Sequence, residues 1–347
     1  MGAMPATTLV SLGWDPQRAA EAAAHPASGP GASPGRVVRV ERDLVRVATE
    51  DGVVAVPTVG LAVGDWVLTD GLSWASALDR RTELRRKDSG QTSDEQLLAA
   101  NVDVVVVVEP MDPRPNARRV ERMTTLAWAS GATPLVVLTK SDLARGGEVA
   151  EIAAVAPGVE VLEVGAETGD GLDVVRAHLA GGRTFVLLGP SGAGKSTLVN
   201  ALAGEEVLAT GAVRGDGRGK HTTTHRELVV VPGLGCLVDT PGIRGVGLVA
   251  DEDGLEQAFP EVVALAAACR FTDCEHRTEP GCAVLHAVEE GRLPEARLAS
   301  YRHLLREIAH QTARKASQDR SALRSRGRQA NRSMRESMTA KGRGPVV

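Results

Sequence analysis

The chain has 347 residues, 43% of them apolar and only 2% aromatic, with a formal net charge of −4. That is enough apolar mass for two or three cored domains, and too few aromatics for a function built on stacking platforms for bases. No run of about 18 apolar residues occurs, which excludes a membrane-spanning helix, and no basic-then-apolar leader is present, so a cytoplasmic protein is expected.

Residues 1–34 are rich in Ala, Pro and Gly and read as a flexible N-terminal extension. From residue 35 to 88 short alternating stretches (37–40, 44–47, 53–56 and 65–68) are punctuated by Asp51-Gly52 and Asp70-Gly71. This rhythm predicts a small OB-type β-barrel. Arg80, Arg81, Arg85, Arg86 and Lys87 cluster at its end and suit phosphate contacts, a solvated basic face being the alternative. Residues 89–250 alternate apolar strands (104–109, 135–139, 159–164, 184–188, 228–231, 236–239) with helical stretches. Such strands are buried on both faces, so a parallel sheet with helices on both faces is expected. A helical domain over 251–312 follows, and then a basic tail, 313–347. Residues 301–347 hold 12 Lys/Arg against 3 Asp/Glu, whereas the first 300 residues hold 28 against 41. A tail of this charge is expected to be disordered in solution and suited to nucleic acid.

Two motifs define the chemistry of the third region. Gly189-Pro190-Ser191-Gly192-Ala193-Gly194-Lys195-Ser196 follows an apolar strand and runs into a helix start at Thr197, the context that a phosphate loop requires. Its glycines turn consecutive N–H groups toward phosphates. Lys195 is expected to bridge the β- and γ-phosphates and Ser196 to ligate Mg²⁺. Thr139-Lys140-Ser141-Asp142 ends another apolar strand. Asp142 there can accept from N1–H and the exocyclic amine of guanine, which adenine does not offer, and Lys140 would lie along the base. Thr139 stands where Asn is usual. Gly165-Ala166, after the next strand, are candidates for a backbone contact to guanine O6, with Gly165 in place of the usual Ser.

Asp239-Thr240-Pro241-Gly242 matches the DxxG switch: Asp239 would hold Mg²⁺ through water, and the Gly242 N–H would meet the γ-phosphate. In the glycine-rich segment 215–225, one of Thr222, Thr223 or Thr224 is expected to reach Mg²⁺, with Thr223 the favoured one; a plain surface loop is the alternative. Ile243 occupies the place where Ras-like enzymes carry the glutamine that orients water. Intrinsic hydrolysis is therefore expected to be slow, with His221 or a partner supplying the orienting group.

Cys269, Cys274, His276 and Cys282 fall within 14 residues. Three thiolates and an imidazole suit a closed, tetrahedral structural Zn²⁺ site, and Cys236, in an apolar strand, reads as core.

The guanine tetrad comes before the phosphate loop, the reverse of the ordinary order. With the barrel and the knuckle Cys-Arg-Phe-Thr-Asp-Cys-Glu-His, this order resembles the ribosome small-subunit-dependent GTPase A family over residues 35 to 310. The resemblance implies a circularly permuted GTPase of late small-subunit (30S) maturation. It also implies a barrel that contacts ribosomal RNA and slow GTP hydrolysis stimulated by that subunit. A nucleotide-gated RNA-binding scaffold is the rival reading, and Asp142 argues against an ATP-dependent enzyme. No heptads occur, so a monomer is expected.

Overall fold

The computed structural model describes residues 8–57, 60–87, 95–208, 226–239, 250–313, 316–317 and 320. Residues 9–12 form a 3-10 turn, and Pro16–Ala24 form helix α1. The helix starts where Asp15 accepts from the Arg18 N–H and proline takes the first helical position, a sound start signal in sequence terms. Leu9, Leu12 and Arg18 are buried, and Trp14 stands edge-on to Trp66 with ring centroids 4.9 Å apart. The expectation of a flexible extension is thus revised for residues 8–34. A few well-spaced anchors dock this segment, and its Ala/Pro/Gly-rich composition hid them.

The next strands are β1 (Ser33–Val40), β2 (Leu44–Thr49), β3 (Gly52–Pro57), β4 (Trp66–Thr69) and β5 (Ala75–Ala77), antiparallel in the order β3-β2-β1-β4-β5. Val37, Val45, Val47, Val56 and Val67 fill their interior, as alternation along strands requires. Gly35 is needed where β1 crosses β2, because a Cβ there would sit 2.5 Å from Val47 Cγ1. A hairpin of β6 (Glu83–Lys87) and β7 (Glu95–Ala100) follows.

The rest of the sheet comprises β8 (Val104–Pro110), β9 (Thr133–Thr139), β10 (Glu160–Val164), β11 (Thr184–Leu188), β12 (Arg226–Val230) and β13 (Cys236–Asp239). Helices α2 (Ala117–Ala129), α3 (Glu148–Val155), α4 (Leu172–Leu179) and α5 (Lys195–Ala203) lie between these strands. Strands β10-β9-β8-β11-β13 are parallel; β12 runs antiparallel to β13 and pairs with the second half of β1. Strands β1 to β5 therefore continue the nucleotide sheet, and among the described residues no strand pair closes them into the expected barrel. β8 is buried along its whole length, and its alternate residues serve two cores. Val105 and Val107 pack with Val120 and Met123 on one face, and Val106 and Val108 with Val175 and Leu198 on the other. Helices thus cover both faces, as the unbroken valine run predicts. The chain winds outward from β8 through β9 to β10, and outward the other way from β11 to β13. The crevice at the carboxyl ends of β8 and β11 is the topological switch point, where ligands of such sheets bind.

Helices α6 (Glu252–Ala258), α7 (Pro260–Ala266) and α8 (Ala283–Glu289), with helical residues 295–313, enclose a separate core around Leu255, Phe259, Val262, Val284 and Leu298. This unit sits on α2. Gly254 lies so close to Ala129 that a Cβ would be 2.6 Å from it. Arg297, 4% exposed, donates to Glu121 (3.0 Å), Glu261 (2.6 Å) and the Val155 carbonyl (2.8 Å), and stacks over Phe259 at 3.8 Å. Removing one partner from such a buried cluster costs about 3–5 kcal/mol, so Arg297 holds the C-terminal unit to the nucleotide sheet.

Candidate nucleotide site and metal cluster

The phosphate loop leaves β11 and enters α5 at the switch point. Gly189 passes so near β8 that a Cβ would lie 2.2 Å from the Val108 carbonyl oxygen. Gly192 and Gly194 both have φ of +81°, in the left-handed region that favours glycine. Gly194 caps α5 with no side chain bonding the helix, so backbone N–H groups and the positive helix end are presented to an anion. Ser191 and Thr197 are exposed and Ser196 half-buried, while Ala193 is buried beneath the loop. The Lys195 ammonium lies across the loop, donating to the carbonyls of Gly189 (2.9 Å) and Pro190 (2.7 Å).

The candidate base-reading tetrad sits at the end of β9, with β8 between that strand and β11. Thr139 closes β9 and is buried; its hydroxyl donates to the Ala193 carbonyl at 2.7 Å. Its side chain is therefore a strut between tetrad and phosphate loop rather than a surface for the base. Lys140 follows with φ of +59°, and its ammonium approaches the Asp112 carbonyl at 3.4 Å. Asp142 is exposed beyond it. β10 is in register with β9, Val164 facing Thr139, so Gly165 emerges beside Lys140 and Ser141. A Cβ on Gly165 would lie 2.2 Å from Thr168 Oγ1 and 2.9 Å from Ser141 Oγ. The absence of a serine at 165 thus has a steric reason: the Thr168 hydroxyl, donating to Asp170 Oδ2 at 2.6 Å and lying 3.2 Å from the Gly165 carbonyl, already fills its place.

Asp239 ends β13, two residues beyond Leu237, which is level with Phe185 on β11. That register puts it next to the strand carrying the phosphate loop. The remaining switch residues, His221, Thr222, Thr223, Thr224, Gly242 and Ile243, lie outside the described residues.

Sequence reasoning missed Glu109 and Arg119. Glu109, fully buried at the end of β8, pairs through both carboxylate oxygens with Arg119 and meets the Asn116 N–H at 3.4 Å. It thereby shapes the turn that brings Asp112 to Lys140. A carboxylate closing an all-valine strand was the available signal.

The barrel-end basic cluster also needs correction as a set of phosphate contacts. Arg80 forms two bonds to buried Asp65 (2.7 and 2.8 Å), Arg81 pairs with Asp15 and Glu21 (both 3.1 Å), and Arg85 with Glu83 (2.6 Å). These three arginines are neutralised within the fold. The Lys87 side chain lies outside the described residues.

In the C-terminal unit, Cys269, Cys274, His276 and Cys282 converge, with one ligand atom from each within 4.8 Å of the others. His276 Nδ1 is 3.6 Å from Cys269 Sγ and 3.4 Å from Cys282 Sγ, and all the cysteines are free thiols. Local structure explains the convergence. Cys269 follows α7, Cys282 caps α8, and the Arg270 N–H bonds the Gly281 carbonyl at 3.1 Å. The Glu279 carboxylate is held at about 2 by its own N–H and by the N–H groups of Arg277, Thr278 and Glu275, from which it accepts. Burial pushes the Cys269 thiol up, but the Val284 and Ala283 N–H groups at the start of α8 outweigh it and favour the thiolate. Burial lowers His276, favouring the neutral imidazole that ligates metals. The Cys274 thiol is instead pushed up to about 11, by burial and by the neighbouring Cys282 and Cys269, a crowding of thiolates that a bound cation relieves, so the donor set fits a metal ion. Cys236, by contrast, is core: it is buried in β13, as expected from its strand.

A parallel sheet with a phosphate loop at its switch point and a base-reading turn beside it, the turn coming first in the chain, defines a circularly permuted GTPase. Comparison with known proteins agrees. Residues 77–249 match the family model described as RsgA GTPase. The chain is 46% identical over 344 residues to the "Small ribosomal subunit biogenesis GTPase RsgA" of Streptomyces coelicolor, spanning 92% of this chain and 93% of that one. The protein of the same name from Streptomyces avermitilis is 47% identical over 91% of this chain and 90% of its own. Among solved structures, YjeQ from Thermotoga maritima superposes with a TM-score of 0.61 at 25% identity, covering 80% of this chain and 99% of that one. YloQ, described as a circularly permuted GTPase, gives 0.59 at 24% identity, over 83% of this chain and 98% of its own. The chain belongs to the RsgA GTPase family.

Proposed function

We propose that this GTPase acts in late maturation of the small ribosomal subunit, hydrolysing GTP slowly until that subunit stimulates it. The observation that carries the reading is the hydrogen bond from Thr139 to Ala193, which joins the guanine tetrad to the phosphate loop at one crevice. Relatives named for small-subunit biogenesis, similar over nine-tenths of the chain, supply the partner. In this reading the loop N–H groups and Lys195 bind the phosphates and stabilise charge as it develops on them. Asp142 and Lys140 select guanine, and the backbone of Gly165 and Ala166 faces its O6. Ser196, Thr223 and Asp239 would hold Mg²⁺, which neutralises phosphate charge when bound. The Gly242 N–H meets the γ-phosphate, and His221 or the subunit orients water. Cys269, Cys274, His276 and Cys282 hold a structural Zn²⁺ that stiffens the C-terminal unit. The protein works as a cytoplasmic monomer.

The test is GTP turnover by the purified protein alone, with small subunits, and with large subunits. Acceleration by small subunits only supports the reading; turnover indifferent to ribosomes would overturn it. Metal analysis of the same preparation should find about one zinc per chain, and chelation should expose residues 251–313 to hydrogen exchange without releasing GDP.

A further inference from the structure

Once the barrel-end arginines are sorted by their partners, two guanidiniums stand apart. Arg226 begins β12, across from Val40 of β1, and its Nη1 donates to the Leu97 carbonyl of β7 at 3.3 Å. Arg86 lies on β6 opposite Gln96 of β7, and its Nη2 reaches the Gln96 side chain at only 3.5 Å. Its Nε is buried with no hydrogen-bond partner among the described residues. Both side chains are half-buried. Among the described residues neither makes an ion pair with a carboxylate, although Arg80, Arg81 and Arg85 on the same stretch of chain all do. Desolvation lowers the Arg226 guanidinium, and the charge of Arg86 lowers it further. Two like charges, part-removed from water and without a carboxylate partner among the described residues, are relieved by an anion.

We propose that Arg86 and Arg226 form a clamp for the phosphodiester backbone of RNA, at the seam where barrel, hairpin and nucleotide sheet meet. Arginine forks match phosphate oxygens in geometry as well as charge. A chain with 2% aromatic residues has to read RNA mainly through its backbone and shape rather than by stacking. The proposal rests on the reading that the chain acts on the small ribosomal subunit, and it names the residues that touch the RNA there.

The experiment measures binding of the full chain, loaded with a non-hydrolysable GTP analogue, to small subunits and to protein-free small-subunit RNA across a salt series. Arg86→Gln and Arg226→Gln are compared with Arg85→Gln, whose parent is already paired to Glu83. Each clamp variant should weaken binding to both targets roughly 3–10-fold and reduce the slope of log K against log salt by about 0.7–0.9, while Arg85→Gln shifts affinity less than about twofold. Arg226→Lys keeps the charge and should retain the salt slope. GDP affinity and thermal midpoint of every variant report whether the fold is intact. Clamp variants that match Arg85→Gln, beside normal wild-type binding to subunits, overturn the clamp and leave the proposed function standing. Weakening on subunits but not on naked RNA assigns the pair to a protein carboxylate and also overturns it. Failure of the wild type to bind small subunits removes the proposed function instead. The RNA arm then decides the clamp alone: a slope lost with Arg226→Gln supports it, and no RNA binding overturns it.

Discussion

The two ends of the parallel sheet are made of different material. At the carboxyl ends of β9, β10 and β11 the chain turns through Lys140, Gly165 and Gly189. Glycines and left-handed backbone there leave main-chain groups, rather than long side chains, to form the surface. At the amino ends of β8 and β11 long side chains close the structure. Fully buried Arg36 donates to the carbonyls of Leu12, Gly64 and Asn101 and to the Thr184 hydroxyl. Arg18 bonds Asn101 Oδ1 and the Asp79 carbonyl, and Asp103 accepts from the Thr184 N–H. The first end is built to exchange its partner and the second to keep it. A substitution at one end should therefore change ligand binding with little loss of stability, and at the other the reverse.

The sharpest way to break this comparison is Lys195→Ala. GTP turnover should fall on the order of 100-fold or more, while the urea midpoint moves little; loss of fold with loss of activity would contradict it. Arg36→Met should do the opposite. It strands the Leu12 and Asn101 carbonyls, the Gly64 carbonyl keeping the Asn101 amide, and should cost about 3 kcal/mol in urea unfolding, with GDP affinity of the surviving folded protein near wild type. Smaller is Thr139→Val, which keeps shape and removes one hydroxyl. A loss of about 1 kcal/mol, roughly fivefold in Kd for GDP, is expected, and unchanged affinity would show that the strut to Ala193 does not matter.

The smallest effect is in acid. Burial would raise the Asp15 and Glu21 carboxyls, but hydrogen bonds and charges from Arg18 and Arg81 outweigh it and hold both below their ordinary range. Their contribution is present above the ordinary carboxylate pKa of about 4 and is lost as pH falls through the lowered values, less than about 1 kcal/mol for each such pair. Hydrogen exchange in α1 should therefore rise on acidification before that of α5; simultaneous loosening of both would argue against a separately held N-terminal seal.

What could be read from the chain divides along the same line. The candidate phosphate loop and guanine tetrad were legible as motifs because such motifs set particular residues at fixed local spacing. The Cys/His cluster was legible for the same reason, and the strands of β8 and β11 because burial on both faces leaves an unbroken apolar run. The order of tetrad and loop alone announced the permutation. Only tertiary structure decided where charge was compensated. Arg80 and Arg81 suited phosphate contacts until the fold brought Asp65, Asp15 and Glu21 to them, whereas Arg226, 140 residues beyond Arg86 in the chain, was brought to the same hairpin strand β7 that Arg86 bonds. Likewise the N-terminal segment docks through Leu9, Leu12, Trp14 and Arg18, whose partners lie on distant strands. Local propensity and motif spacing are properties of a short window, and the chain carries them openly. An ion pair or a sealed edge is a property of two windows meeting in space, and it exists only once the chain has folded.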